Sequence, residues 1–193
     1  MGMMERLSLY KIRALALNSG VYVYGVQQFS NLINRDKNIS RVYMNRMVHN
    51  GLAIKLFNGR ISFIDDDFII ASQMIFPSYI SMNSALLFHN MTEQVTRYVE
   101  CVTTVNSMNY YDLGIIYHKI KPKLFFGYKR YTENGSYIFV ADPEKAVFDG
   151  LYYGIFSMDD VMEIKEKIDF SGLIDNLSML HNKKISGIMR ILS

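Results

Sequence analysis

Between positions 37 and 60 the sequence sets Lys37, Asn38, Ser40, Arg41, Asn45, Arg46, Lys55 and Arg60 close together. Arginine and asparagine make paired hydrogen bonds to the edges of guanine and adenine, whereas lysines, hydroxyls and further arginines grip phosphate oxygens. The spacing gives these types a direction. If residues 38–50 form a helix, Ile39, Tyr43, Met44 and Met47 fall on its inner face, and Asn38, Arg41, Asn45 and Arg46 fall opposite. Arg41 is then best placed to read a base, while Lys37, Ser40, Lys55 and Arg60 suit phosphate contacts. The same polar face also suits a solvated helix or a protein contact.

Other chemistries find less support. His49, His89, His118 and His181 sit in different segments without a partner at metal-ligand spacing, and Cys101 is the single cysteine, so no metal site, cofactor or internal disulfide is expected. Ser78, Ser81 and Ser84 lack the Gly-x-Ser-x-Gly setting of an activated nucleophile, and no phosphate-cradling glycine loop occurs. Asp142 and Glu144 are accounted for as the start of a helix, and Asp149 is expected to face water. No enzymatic activity is expected, although residues 76–193 leave room for an enzyme built on Glu144 and Asp149.

The elements that must position the basic cluster follow from hydrophobic period and turn chemistry. Leu9, Ile12, Leu15 and Ala16 mark a first helix over Leu7–Asn18; Val26, Phe29, Leu32 and Ile33 mark a second over Gly25–Asn34. The third helix runs to Asn50-Gly51, a left-handed stop signal. Leu52–Leu56 and Arg60–Ile64 then flank Phe57-Asn58-Gly59, the signature of a hairpin. Three helices and a hairpin describe a winged helix-turn-helix over residues 1–66. Charge agrees, since residues 1–64 hold nine Lys or Arg against two acidic residues, whereas the rest of the chain holds 12 basic and 16 acidic residues.

Asp65-Asp66-Asp67 is read as the boundary to a second domain, residues 67–193. Helices are expected over Phe68–Ile75 and, capped by Ser81, over Met82–His89. The β-rich stretch Val95–Tyr131, the turn Glu133-Asn134-Gly135 and the strand Tyr137–Ala141 form a central antiparallel sheet. Asp142-Pro143-Glu144 opens a helix, and Val161, Ile164 and Ile168, Leu173, Leu177 and Leu180, and Ile185, Ile188 and Leu192 mark helices after it. The fold class is α+β. Apolar stretches fall far short of the roughly 20 residues that span a bilayer, and the N-terminus lacks a signal-peptide centre. A cytoplasmic protein without a membrane partner is expected.

Two segments carry a family resemblance: Pro77-Ser78-Tyr79-Ile80-Ser81-Met82-Asn83-Ser84-Ala85-Leu86, and Val140-Ala141-Asp142-Pro143-Glu144-Lys145-Ala146-Val147-Phe148-Asp149. With the order of elements around them, they resemble the AbiEi-type antitoxins of type IV toxin–antitoxin systems. Asn90 stands where that family often has glycine. The resemblance implies a regulator that represses its own operon through its N-terminal domain and counteracts a nucleotidyltransferase-like toxin. It implies double-stranded operator repeats as partner, occupied by two or more copies of the chain. A protein-interaction antidote or adaptor with little specific DNA binding is the alternative.

Overall fold

The computed structural model describes residues 8–178 and has an α+β architecture, with eight α-helices and two sheets among the described residues. Leu180, His181, Ile185, Ile188 and Leu192 lie outside them. The chain divides into two compact units, residues 1–76 with 132–138, and residues 77–131 with 139–193.

In the first unit, helices α1 (Leu9–Asn18), α2 (Val26–Ile33) and α3 (Lys37–His49) accompany strands β1 (Val23–Tyr24), β2 (Ile54–Lys55) and β3 (Ile61–Ser62). Each boundary has a local cause. Gln28 accepts the Gly25 N–H at 3.0 Å before α2, and Asn34 ends that helix in the left-handed region (φ 50°). Asp36 caps α3 by accepting from the N–H groups of Asn38 (2.8 Å) and Ile39 (3.0 Å). Gly51 (φ 66°) closes α3, and the Leu52 N–H returns to the Met47 carbonyl at 2.8 Å. The turn between β2 and β3 puts Asn58 (φ 55°) and Gly59 (φ 68°) in left-handed conformations, the type I′ geometry that Asn-Gly adopts at least cost.

These three strands form one antiparallel sheet in the order β1-β3-β2, with Tyr24 and Lys55 both opposite Ile61. Ile12 and Ala16 of α1, Phe29 and Ile33 of α2, and Met44 and Met47 of α3 share one buried core with Tyr24, Ile61 and Phe63. Tyr24, Phe29 and Phe63 form an aromatic triangle with centroid separations of 5.7–6.4 Å. Helix α4 (Asp67–Met74), capped by Asp66 on the Ile69 N–H, also belongs to this unit. The break therefore falls after Phe76, ten residues beyond the break expected after Asp66. Gln73 is the reason: its Oε1 accepts from the N–H of Tyr22 at 2.9 Å, and its Nε2 donates to Ser136 Oγ at 2.7 Å.

The second unit contains β4 (Ser78–Ile80), α5 (Met82–Phe88), β5 (Val99–Thr103), β6 (Met108–Tyr110) and β7 (Ile115–Lys119). Strands β8 (Tyr128–Glu133) and β9 (Ser136–Ala141), of which residues 128–131 and 139–141 belong to this unit, follow, then α6 (Pro143–Tyr153), α7 (Met158–Ile164) and α8 (Phe170–Ser178). Its sheet has the order β6-β7-β5-β4-β9-β8. It is mixed and not antiparallel: β4 pairs β9 in parallel, and β5 pairs β7 in parallel. Strand β6 causes the second parallel pairing, because it turns back against the outer edge of β7 and leaves the inner edge to β5. Ile168, expected on a helix with Val161 and Ile164, is extended (φ −124°), and the chain changes direction there. Cys101 is fully buried, with its thiol pushed well above its ordinary range by burial.

Candidate nucleic-acid interface

Helix α3 owes its orientation to Ser40, Met44 and Met47, which are buried at 0–4% exposure and recur at the i, i+4, i+7 spacing of one helical stripe. Ser40 was expected on the phosphate-facing side, and the structure overturns that placement. Four residues before Met44 and seven before Met47, it shares their inner face. Lys37, Asn38, Arg41, Asn45 and Arg46 remain exposed on the other side, as does Lys55 on β2. Arg60 is half-buried at the end of the turn.

A groove of about 420 Å³ runs between α3 and the β2–β3 hairpin. From the helix it is lined by Arg41, Asn45 and His49, and from the hairpin by Lys55, Gly59 and Arg60. Two elements thus bring three cationic side chains and an asparagine to one concave surface, with Met44, Val48 and Ile61 at its floor. Lys37, Asn38 and Arg46 do not line this groove. Asn38 touches its edge through Arg41, whose guanidinium donates to Asn38 Oδ1 at 3.1 Å. His49 was missed in the sequence reading, although its position four residues after Asn45 and eight after Arg41 puts it on the same stripe. The surface is concave and carries positive charge beside amide and imidazole groups.

The second unit holds a different polar cluster. Asp149, expected to face water, is fully buried. It accepts a hydrogen bond from Tyr79 Oη at 3.0 Å, one from Ser81 Oγ at 2.7 Å, and an ion-paired one from Lys145 Nζ at 2.5 Å. The correction has a simple geometric cause: Lys145 and Asp149 are one turn apart on the face of α6 that covers Tyr79 and Ser81. Burial pushes the Asp149 carboxyl up, against the pull of Lys145 and the two hydroxyls, and burial also lowers the Lys145 ammonium, against the pull of Asp149. The ammonium lies 4.3 Å from the ring centroid of Phe148 and 4.8 Å from that of Phe126. Gly127 (φ 70°) packs so closely that a Cβ there would stand 3.0 Å from Lys145 Cβ.

The helix caps expected nearby are correspondingly reassigned. Ser81 occupies the N-cap position of α5 without a side-chain cap bond, because its hydroxyl is committed to Asp149. Asp142 occupies the N-cap position of α6, but its carboxylate pairs with Lys129 at 2.9 Å. Glu144 accepts the Asp169 N–H at 2.8 Å. Tyr79, Ser81, Lys145 and Asp149 are only 0–1% exposed, so the cluster forms a buried polar junction.

The remaining candidate groups are dispersed. His89 Nε2 lies 2.9 Å from the Ala141 carbonyl, and the His118 ring lies 4.9 Å from that of Tyr153. Among the described residues, His118 Nε2 and Tyr153 Oη are buried without a hydrogen-bond partner, and burial lowers the His118 pKa. Among the described residues, no group of three His, Cys, Asp or Glu side chains gathers to hold a metal ion, and no helix is long and apolar enough to cross a membrane. No family model matches the chain, and no curated protein is found similar to it.

Proposed function

We propose that the first unit is a winged helix-turn-helix and that the protein is a DNA-binding transcriptional regulator. Helix α3 would enter the major groove, and the β2–β3 hairpin would track the adjacent backbone as the wing. The observation that carries this reading is the groove in which Arg41, Asn45, His49, Lys55 and Arg60 converge from the two elements that such a domain presents to DNA. One unit of this size covers limited DNA surface, so specific binding would use two copies on repeated half-sites. By resemblance, the reading extends to an antitoxin that represses its own operon and opposes a nucleotidyltransferase-like toxin. In its favour, the two segments that carry the resemblance meet in space, the first supplying Tyr79 and Ser81 and the second Lys145 and Asp149 to the same buried junction.

The test is binding of the purified protein to its own upstream DNA across a salt series, with unrelated DNA as competitor. Specific binding is expected, with log affinity falling by about 0.9 per log unit of salt for each phosphate contact. Arg41→Ala is expected to weaken it by about 1–3 kcal/mol. Ser40→Ala is expected to leave affinity unchanged, because that hydroxyl faces the core. Equal affinity for upstream and unrelated DNA at every salt concentration would refute the regulator reading.

One observation favours a second reading, an antidote or adaptor acting through protein contacts. On the second unit, Arg97 stacks over Tyr98 at 5.4 Å, Tyr98 lies 5.5 Å from Tyr111, and Tyr111 and Val95 are 59% and 83% exposed. Tyrosine and arginine are the residue types that dominate protein-interface energetics. Loss of antidote activity in Tyr111→Ala with unchanged DNA binding would support this role, and retention of that activity would count against it.

A further inference from the structure

One exposed residue of α3 is apolar. Val42 is 49% exposed, whereas the other exposed positions of the helix are Lys37, Asn38, Arg41, Asn45, Arg46 and His49. It lies four residues after Asn38, three before Asn45 and four before Arg46, so three of its four neighbours on the helix surface are polar, the fourth being half-buried Ile39. Packing does not require an apolar group there, because the core face of α3 is made by Ser40, Met44 and Met47. Helix propensity does not favour it either, since a β-branched side chain loses rotamer freedom in a helix. What a β-branched side chain does offer is a stiff pair of methyl groups held in one place.

We propose that Val42 is a specificity-determining residue that packs against the 5-methyl group of a thymine in each half-site. This rests on the DNA-binding reading above. In the major groove, thymine presents a methyl group beside its O4 acceptor, and an apolar side chain is its natural partner. Val42 lies in the N-terminal half of α3, the part of a recognition helix that approaches base edges. Its neighbours Arg41 and Asn38, already joined at 3.1 Å, are positioned to bond the adjacent base pairs. The polar pair would fix register, and the valine would read the thymine methyl, which a hydrogen bond to O4 alone does not sense.

The experiment starts with the full-length protein and a randomised pool of duplex DNA from which it enriches its own sites. The enriched duplex is then synthesised with thymine or, position by position, with uracil, which removes the methyl and nothing else. Wild type is expected to bind the uracil duplex roughly fourfold more weakly at one position per half-site, the value of one buried methyl. Val42→Ala is expected to bind the thymine duplex about as weakly and to lose nothing further with uracil. Arg41→Ala is expected to remain sensitive to the same methyl. Equal wild-type affinity for thymine and uracil duplexes would overturn the proposal while leaving DNA binding intact, as would undiminished uracil sensitivity in Val42→Ala. If no sequence is enriched, the DNA-binding reading fails, and this proposal with it.

Discussion

Replacing Asp149 by leucine tests whether the buried junction holds the second unit together. The substitution leaves the Lys145 ammonium, 1% exposed, without its counter-ion, and leaves the hydroxyls of Tyr79 and Ser81 without their acceptor. Removing one partner of a buried pair costs about 3–5 kcal/mol, because an uncompensated charge remains. With a urea m-value of about 2 kcal/mol/M, that loss moves the unfolding midpoint down by roughly 1.5–2.5 M. The chain has no tryptophan, so far-UV circular dichroism is the suitable probe. Lys145→Met is expected to cost a similar amount. The double variant, Lys145→Met with Asp149→Leu, buries no charge and retains only the orphaned hydroxyls, at about 1–3 kcal/mol each. It is therefore expected to be much more stable than the sum of the single changes implies, with a coupling of about 2 kcal/mol or more in the double-mutant cycle. An Asp149→Leu midpoint within about 0.5 M of wild type, or additive single changes, would refute the assignment of the pair as a coupled buried junction.

Gly150→Ala should destabilise the protein by about 1–3 kcal/mol despite the better helix propensity of alanine, because a Cβ there would stand 2.2 Å from Phe156 Cδ2; an unchanged urea midpoint would contradict this packing. Asp36→Ala should cost about 1 kcal/mol through loss of the cap on α3, and Asp36→Ser should recover most of it in the same assay. Burial lowers the His118 pKa, so its contribution to stability is complete above the unfolded value of about 6.5 and is lost as pH falls from there toward the depressed folded value. Urea midpoints measured between pH 7.5 and 5.5 should therefore fall less steeply for His118→Gln than for wild type, and parallel slopes would exclude His118 as a source of the loss.

The groups expected on the outer face of α3 were legible because a helix periodicity fixes two faces at once. Met44 and Met47 name the inner one, so Arg41 and Asn45 must lie on the other. Turn chemistry was legible for the same local reason, since Asn58-Gly59 and Asn134-Gly135 both adopt the positive φ that few other pairs accept. Ser40 was misplaced because a small hydroxyl carries no strong signal of its own, and neighbouring apolar residues decide which way it points. The parallel strand pairs were out of reach of local reasoning, since each strand reads alike whether its neighbour runs with or against it.

The amino-acid sequence by itself determined the α+β class, the three N-terminal helices, the hairpin after them and the concentration of positive charge, all set by periods and contacts within about a dozen residues. Only the tertiary structure decided that α4 and residues 132–138 join the first unit, that α3 and the hairpin enclose a common groove, and that Asp149 is buried with Lys145. The physical reason is the same in each case. A lysine and an aspartate one turn apart look like a solvated pair until a tyrosine and a serine some 70 residues earlier in the chain supply the hydrogen bonds that make their burial tolerable.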